Sequence, residues 1–250
     1  MTRLTEREET FMEDHFRYVS RIQRDSEPYE IIHASELLDK QTLQKKLDEI
    51  HVFMESDFYL TTASIFSKRY SYYIVTGVLA MISAFDKCPD YRPENIRLVR
   101  LDEDKKWFPK LTFVSKDAEE PIAVNRHACL RDQLTELFSE HVRPIFLQIN
   151  QLTRLSMNVL WENFAIYLYW FYERYAEDHF DEERMAQIRD DFHFIVHELD
   201  GSSFGEEKNP FHYFSYQPKL PNGARERKCC CLSYKLHDDS GYCKVCPHRC

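Results

Sequence analysis

Six of the chain's eight cysteines fall within its last 22 residues. They read Cys229-Cys230-Cys231, eleven residues, Cys243-Lys244-Val245-Cys246, and then Cys250. Thiols at this density are crosslinking or metal-ligating groups rather than packing residues. Such a segment folds as a disulfide knot, around zinc, or around an iron–sulfur group.

The rest of the chain bears on that choice. Met1–Thr10 has no apolar h-region, so no secretory signal is expected. The most apolar runs, Tyr72–Phe85 and Phe164–Tyr172, fall short of the ~20 residues that cross a bilayer, so no transmembrane segment is expected. The expected compartment is the cytoplasm, where thiols stay reduced. That weakens the disulfide reading and strengthens the two metal readings. A formal net charge of −9 argues against a general nucleic-acid binder. Five glycines in 250 residues argue against Rossmann sheets, phosphate loops and turn-rich sandwiches, and favour long helices.

Apolar spacing outlines a mostly helical body. Thr5 and Glu8 form a capping-box pair at the start of a helix over 5–22, with Phe11, Met12, Phe16 and Val19 as its stripe. A second helix is expected from Ser35 to about Met54. A third, over 68–86, is apolar nearly all round and hence central. Ile96–Leu101 and Lys110–Val114 are short and β-leaning, and the charged turn Asp102–Lys106 between them predicts a hairpin at about 95–114. Further helices are expected from Asn125, with Pro144 ending or kinking it, from about Gln151 to Ala176, and from Asp181 to Leu199 with Gly201 past its end. Residues 201–228, with Pro210, Pro218, Pro221 and Gly223, read as loop. The expected fold is mainly α: a bundle-like helical body at 1–223 carrying one small β-hairpin, then a cysteine-rich segment at 224–250.

Spacing alone leaves zinc and iron–sulfur both open. A structural zinc site usually takes two C-x₂₋₄-C knuckles. Cys243-x-x-Cys246 is one, but the adjacent Cys230-Cys231 is a poor second, since neighbouring side chains in extended backbone point to opposite sides. A two-iron cluster is larger, and adjacent cysteines could each reach one iron.

The segment Arg227-Lys-Cys-Cys-Cys-Leu-Ser-Tyr-Lys-Leu236, followed by Tyr242-Cys-Lys-Val-Cys-Pro247, resembles the C-terminal motif of the FhuF-type ferric-siderophore reductases. That family carries C-C-x₁₀-C-x₂-C, often followed by Pro, and binds a [2Fe–2S] cluster. The resemblance implies Cys230, Cys231, Cys243 and Cys246 as cluster ligands. Leu232, Tyr234 and Leu236 match the Leu-x-Tyr-x-Leu that follows the family's adjacent pair. Two departures stand out: the spacer here is eleven residues, Leu232 to Tyr242, and Cys229 and Cys250 are surplus. Upstream, Ser156-Met-Asn-Val-Leu-Trp-Glu-Asn163 is similar to the family's Leu-Trp-x-Asn helix, with bulky aromatics where small residues usually follow. Over residues 1–150 the resemblance is architectural only.

The function so implied is one-electron reduction of siderophore-bound Fe³⁺, releasing Fe²⁺. Hard oxygen ligands hold Fe²⁺ far less tightly than Fe³⁺, so a single electron frees the metal. The implied partners are a ferric siderophore of hydroxamate or citrate-hydroxamate type and an electron donor such as a ferredoxin or flavoprotein. No flavin or nicotinamide fingerprint is present, so electrons must come from outside the chain. Two other functions share these residues: a [2Fe–2S] electron carrier or redox sensor, and a structural zinc module that binds a protein partner.

Arg225, Arg227, Lys228, Lys235, Lys244 and Arg249 surround the cysteines. They could dock an anionic complex or an acidic donor, or only offset the charge of a dianionic cluster. Trp161, Phe164, Tyr167, Leu168, Trp170 and Phe171 read as core packing. His193 and His197, four apart on one helix, read as a surface or half-buried pair. His212 is a weak candidate for a substitute ligand, and Cys88 and Cys129 read as ordinary thiols.

Overall fold

Helix α1 (Glu6–His15) opens on a formed capping box: the Thr5 hydroxyl accepts from the Glu8 N–H while the Glu8 carboxylate takes the Thr5 N–H. The computed structural model describes residues 2–22, 28, 30–101, 107–120, 125–237 and 240–248. The expected turn Asp102–Lys106 lies outside them, as do Arg249 and Cys250. Helix α1 stops at His15 rather than near residue 22. Arg17 and Val19 pair their backbone with Leu111, which draws the chain into a strand-like bridge at Tyr18.

Helix α2 (Lys40–Phe53) is capped by Asp39, whose carboxylate accepts from the Thr42 N–H at 2.8 Å, and it buries Leu43, Leu47 and Ile50. The central rod is α3 (Tyr59–Ile74), a π-helical turn at Val75–Leu79, and α4 (Ala80–Phe85). It begins nine residues before the expected position 68. The missed stretch carries polar residues, yet Thr61, Thr62, Ser64 and Ser67 are all buried, as is Ser71 a turn further on. Ser67 and Ser71 satisfy their hydroxyls on carbonyls one turn back, at 2.9 and 2.7 Å. Gly77 lies in the π turn against the sheet, where a Cβ would meet Leu111 Cδ2 at 2.4 Å.

Helix α5 (Arg126–Glu136) runs through a π-helical stretch, Leu137–Val142, into α6 (Arg143–Thr153). Pro144 does not end this rod. It falls in the first turn of α6, directly after the widened stretch, where a missing N–H is tolerated. The next helix does not start at 151: Arg154 adopts φ 64°, and Ser156 caps α7 (Met157–Trp170). Beyond a π-helical turn at Phe171–Tyr175, α8 (Glu182–His193) is capped by Asp181.

The expected hairpin forms, as β3 (Ile96–Arg100) antiparallel to β4 (Lys110–Phe113). A strand not foreseen, β1 (Glu30–His33), adds to its other edge with Ile32 opposite Leu98. A two-residue pairing, β2 (Cys88–Pro89) with β5 (Ala118–Glu119), lies apart from this sheet. The fold is thus mainly α with a small antiparallel sheet, and α3 packs chiefly on α7. Among the described residues, no helix is long and apolar enough to cross a membrane.

Candidate metal centre

The chain between α8 and the cysteines is anchored although it lacks long helices. Phe204, Phe211 and Phe214 are buried, and the Phe211 ring stacks on Phe164 at 5.3 Å. A bridge between Lys219 and Arg225 then turns the chain, and the Arg227 N–H donates to the Val245 carbonyl at 3.0 Å. That bond draws the two halves of the cysteine motif together. Leu232 follows the triplet with φ 59°, a left-handed conformation costly for a side chain of this size. The fold-back aims the Leu232 N–H at the Cys230 sulfur, 3.4 Å away.

With the backbone turned in this way, the adjacent pair no longer points apart to no purpose. Cys230 Sγ lies 3.9 Å from Cys246 Sγ, and Cys231 Sγ lies 3.9 Å from Cys243 Sγ. Each member of the adjacent pair faces one member of the closing knuckle. Among the described residues, no three His, Cys, Asp or Glu side chains converge as a single-ion site. The four thiols meet in two crossed pairs.

A buried polar clamp fixes this arrangement to the body. Glu162 and Arg227 form an ion pair at 3.1 Å with both side chains fully buried. The Glu162 carboxylate also accepts from the backbone N–H of Cys229 at 2.9 Å and from the Tyr213 hydroxyl at 2.9 Å. Arg227 Nη2 donates to Asn163 Oδ1 at 2.8 Å, and Arg227 Nε donates to the Cys229 carbonyl at 2.8 Å. The Asn163 amide passes its own protons to Ser67 Oγ and to Ser64, and Ser64 Oγ–H reaches the Cys231 carbonyl at 2.8 Å. Helices α3 and α7 thus hold the triplet through Ser64, Ser67, Glu162 and Asn163. Among the described residues, Arg227 Nη1 is buried with no hydrogen-bond partner. A buried cation with a spare donor, its charge felt by the Cys231 and Cys229 sulfurs, suits an anionic group.

The hydrogen bond shared with Cys243 holds the Cys231 thiol well below the ordinary thiol range, helped by the positive charges of Lys68 and Arg227. The same contact, with burial, pushes Cys243 up, so the two share one proton. Burial raises Cys230, and burial with the Glu162 charge raises Cys229. Thiolate is the ligating form, so this region carries one readily ionised sulfur and others that ionise as a metal takes the proton's place.

The remaining candidates fall elsewhere. His193 and His197 have their rings 5.0 Å apart and tilted by 36°, with His193 on Glu198. His212 faces the Val196 carbonyl and the His197 ring rather than a thiol. Arg225 is paired with Glu173 at 2.6 Å, while Lys228, Lys235 and Lys244 are exposed. Cys88 is buried and its thiol is raised, and Cys129 is half-buried. Trp161, Phe164, Leu168 and Phe171 are core, as expected, but Tyr167 and Trp170 are half-buried and line a cavity. Ser64 and Ser67 were not foreseen. The available signal was small polar residues at helical spacing (64, 67, 71) inside an otherwise apolar rod.

Residues 64–220 match the family described as ferric iron reductase FhuF-like transporter. The match spans more than half the chain, which belongs to this family. It begins at Ser64 and includes Ser67, Glu162, Asn163 and Tyr213, every body residue of the clamp, while the cysteine tail lies beyond it. No curated protein and no solved structure matches the chain. The family's name points to ferric iron reduction, and hence to an oxidoreductase.

Proposed function

We propose that the chain is a cytoplasmic ferric-siderophore reductase in which Cys230, Cys231, Cys243 and Cys246 hold a [2Fe–2S] group. The observation that carries the proposal is the pair of crossed thiol contacts, 3.9 Å each, clamped by residues of the family-matched body. Two thiols per metal is the ligand count of a two-iron group with four cysteines. When bound, that group supplies one electron at a potential that is about −400 mV in plant-type sites.

The chain's own residues do the rest. Glu162 neutralises Arg227 and fixes the backbone of Cys229, so the triplet is oriented before any metal arrives. Arg227, Lys68 and the N–H of Leu232 face the thiols with positive charge or donors, which favours thiolate over thiol. Among the described cysteines of the tail, Cys229 is left over, its thiol raised by burial and by Glu162. Electrons reach the site from a ferredoxin or flavoprotein partner, and the substrate is a ferric siderophore of hydroxamate or citrate-hydroxamate type.

The test is direct. Purified protein should be reddish-brown with two irons per chain and should carry no stoichiometric zinc. After anaerobic reduction, ferric siderophores should restore the oxidised visible spectrum while a ferrous chelator traps Fe²⁺. A colourless zinc protein overturns the cluster. A coloured protein that no ferric siderophore reoxidises is a carrier or sensor instead.

A further inference from the structure

A cavity of about 240 Å³ opens beside the closing knuckle, lined by Lys68, Tyr72, Tyr167, Trp170, Arg174 and Val245 among others. Val245 lies between Cys243 and Cys246 in the chain, so one wall residue of the cavity sits within the closing knuckle. Lys68 stands one helical turn beyond Ser64, whose hydroxyl holds the Cys231 carbonyl. The far wall is aromatic: Tyr72 meets Tyr167 edge-on at 5.2 Å and Trp170 at 6.2 Å.

The charge balance there is positive. Arg225 and Glu173, also in the wall, neutralise each other. Lys68 and Arg174 make no ion pair or hydrogen bond among the described residues, although both are half-buried. Arg174 has no counter-ion there, and Lys68 has only the nearby Cys231 and Cys243 sulfurs to answer its charge; two half-buried cations so placed are favourable against an anion. Burial pushes both Tyr72 and Tyr167 up to about 12, so their phenols remain neutral.

We infer that this cavity is the substrate subsite, and that it takes one apolar arm of an anionic Fe³⁺ chelate with the metal at the mouth beside Val245. The inference rests on the reductase reading. The cavity is smaller than the roughly 300–1,000 Å³ of a complete small-molecule site, so it admits an arm and not the whole complex. Aromatic walls take the arm's carbon skeleton, and Lys68 and Arg174 meet the complex's net negative charge. A citrate-hydroxamate chelate has that charge; a linear trihydroxamate with a free amine does not. In the reaction Fe³⁺ gains one electron and becomes Fe²⁺, and the cysteine-held reductant loses one. No bond within the chelator breaks, and the external donor protein restores the reductant.

Binding can be measured apart from turnover with gallium complexes, which have the shape of ferric ones and are not reduced. Calorimetric titration of the metal-loaded wild type should show binding of the anionic gallium citrate-dihydroxamate and much weaker binding of a cationic gallium trihydroxamate. Lys68→Gln and Arg174→Gln should each weaken the anionic complex about tenfold, and Arg174→Lys should restore most of it. Lys244→Gln, at an exposed residue that does not line this cavity, should bind as wild type. Equal affinity for the two gallium complexes, or Lys68→Gln and Arg174→Gln variants that bind as wild type, overturns the subsite. If ferric chelates still reoxidise that protein, the reductase function stands without it. Binding that the two variants abolish, in a protein that no ferric chelate reoxidises, upholds the subsite and removes the reductase reading.

Discussion

The body and the cysteine tail are held by different forces. From α2 through the turn after α8 the interior is strongly aromatic: Phe66, Phe138, Phe146, Phe164, Phe171 and Phe194 are all buried. Such a core gains from every apolar surface removed from water, at about 25 cal/mol per Å². Among the described residues from 224 to 248, only Arg227, Cys231 and Cys246 are buried. The tail cannot hold its shape by apolar burial. It depends on paired polar atoms at the clamp and on whatever the thiols bind. The body should therefore survive loss of the tail's metal, while the tail should not survive loss of the body's clamp.

The largest expected effect tests the first half of that contrast. Cys231→Ser or Cys243→Ser should abolish bound iron and visible absorption altogether. Near-ultraviolet circular dichroism of the body, and one cooperative thermal transition, should persist. If iron is lost together with the aromatic signal, the two regions are one folding unit and the contrast is wrong. Cys229→Ser should keep the visible spectrum, since Cys229 is outside the crossed pairs.

Next comes the clamp itself. Glu162→Gln keeps the shape but leaves Arg227 buried without a counter-ion, a change that typically costs about 3–5 kcal/mol. At this chain length that is on the order of 10 °C in Tm. Limited proteolysis should cut the tail sooner, because two backbone N–H groups lose a charged acceptor. Combining Glu162→Gln with Arg227→Met should recover much of the loss. A Tm within 2 °C of wild type for the single variant would remove the clamp from the account.

A pH effect of similar size belongs to the body alone. His141 is buried, its Nδ1–H donates to the Tyr91 carbonyl at 2.6 Å, and its Nε2 accepts from the Tyr70 hydroxyl at 2.5 Å. Burial lowers its pKa from about 6.5 to about 4. The folded state favours the neutral ring, so this stabilisation is full above about pH 6.5 and is lost as pH falls toward 4. The amount at stake is about 3 kcal/mol. Urea midpoints at pH 7.5 and 4.5, measured in the Cys231→Ser protein so that metal release plays no part, should show this loss. His141→Gln should flatten it, and an unchanged slope in that variant assigns the acid sensitivity to other groups.

How far the sequence could be read follows the same divide. A thiol-rich tail was legible because cysteine spacing is itself chemistry, although the choice of four among its six came from the resemblance; the hairpin was legible because β-branched and apolar residues flank a charged turn. Helices with a polar outer face were legible from period alone. The start of the central rod was not. Ser64, Ser67 and Ser71 look like a solvated face, yet they are buried because hydroxyls can satisfy themselves on the preceding turn. Strand β1 was missed because four residues are too few for a period to show, and its partner β3 lies far along the chain. Glu162 and Asn163 were visible only as letters of a resemblance. That they grip Arg227 and Cys229 depends on a contact across more than sixty positions, which no local pattern encodes.

The smallest predicted effect separates those serines by role. Ser64 and Ser71 are both buried on α3. Ser64 Oγ–H reaches the Cys231 carbonyl, whereas Ser71 Oγ–H stays on its own helix at the Ser67 carbonyl. Removing either hydroxyl should cost about 1 kcal/mol of global stability, the usual worth of one buried hydrogen bond. Only Ser64→Ala also leaves a tail carbonyl unpaired and deprives the Asn163 amide of one acceptor. The two variants should thus show similar small shifts in urea midpoint but differ in the rate at which a chelator strips iron from the oxidised protein. Ser64→Ala should lose it several-fold faster than wild type, and Ser71→Ala at the wild-type rate. Equal release from both would mean that the tail senses only the body's overall stability. A difference confined to Ser64 would show that the polar contacts of α3 act on the metal centre directly.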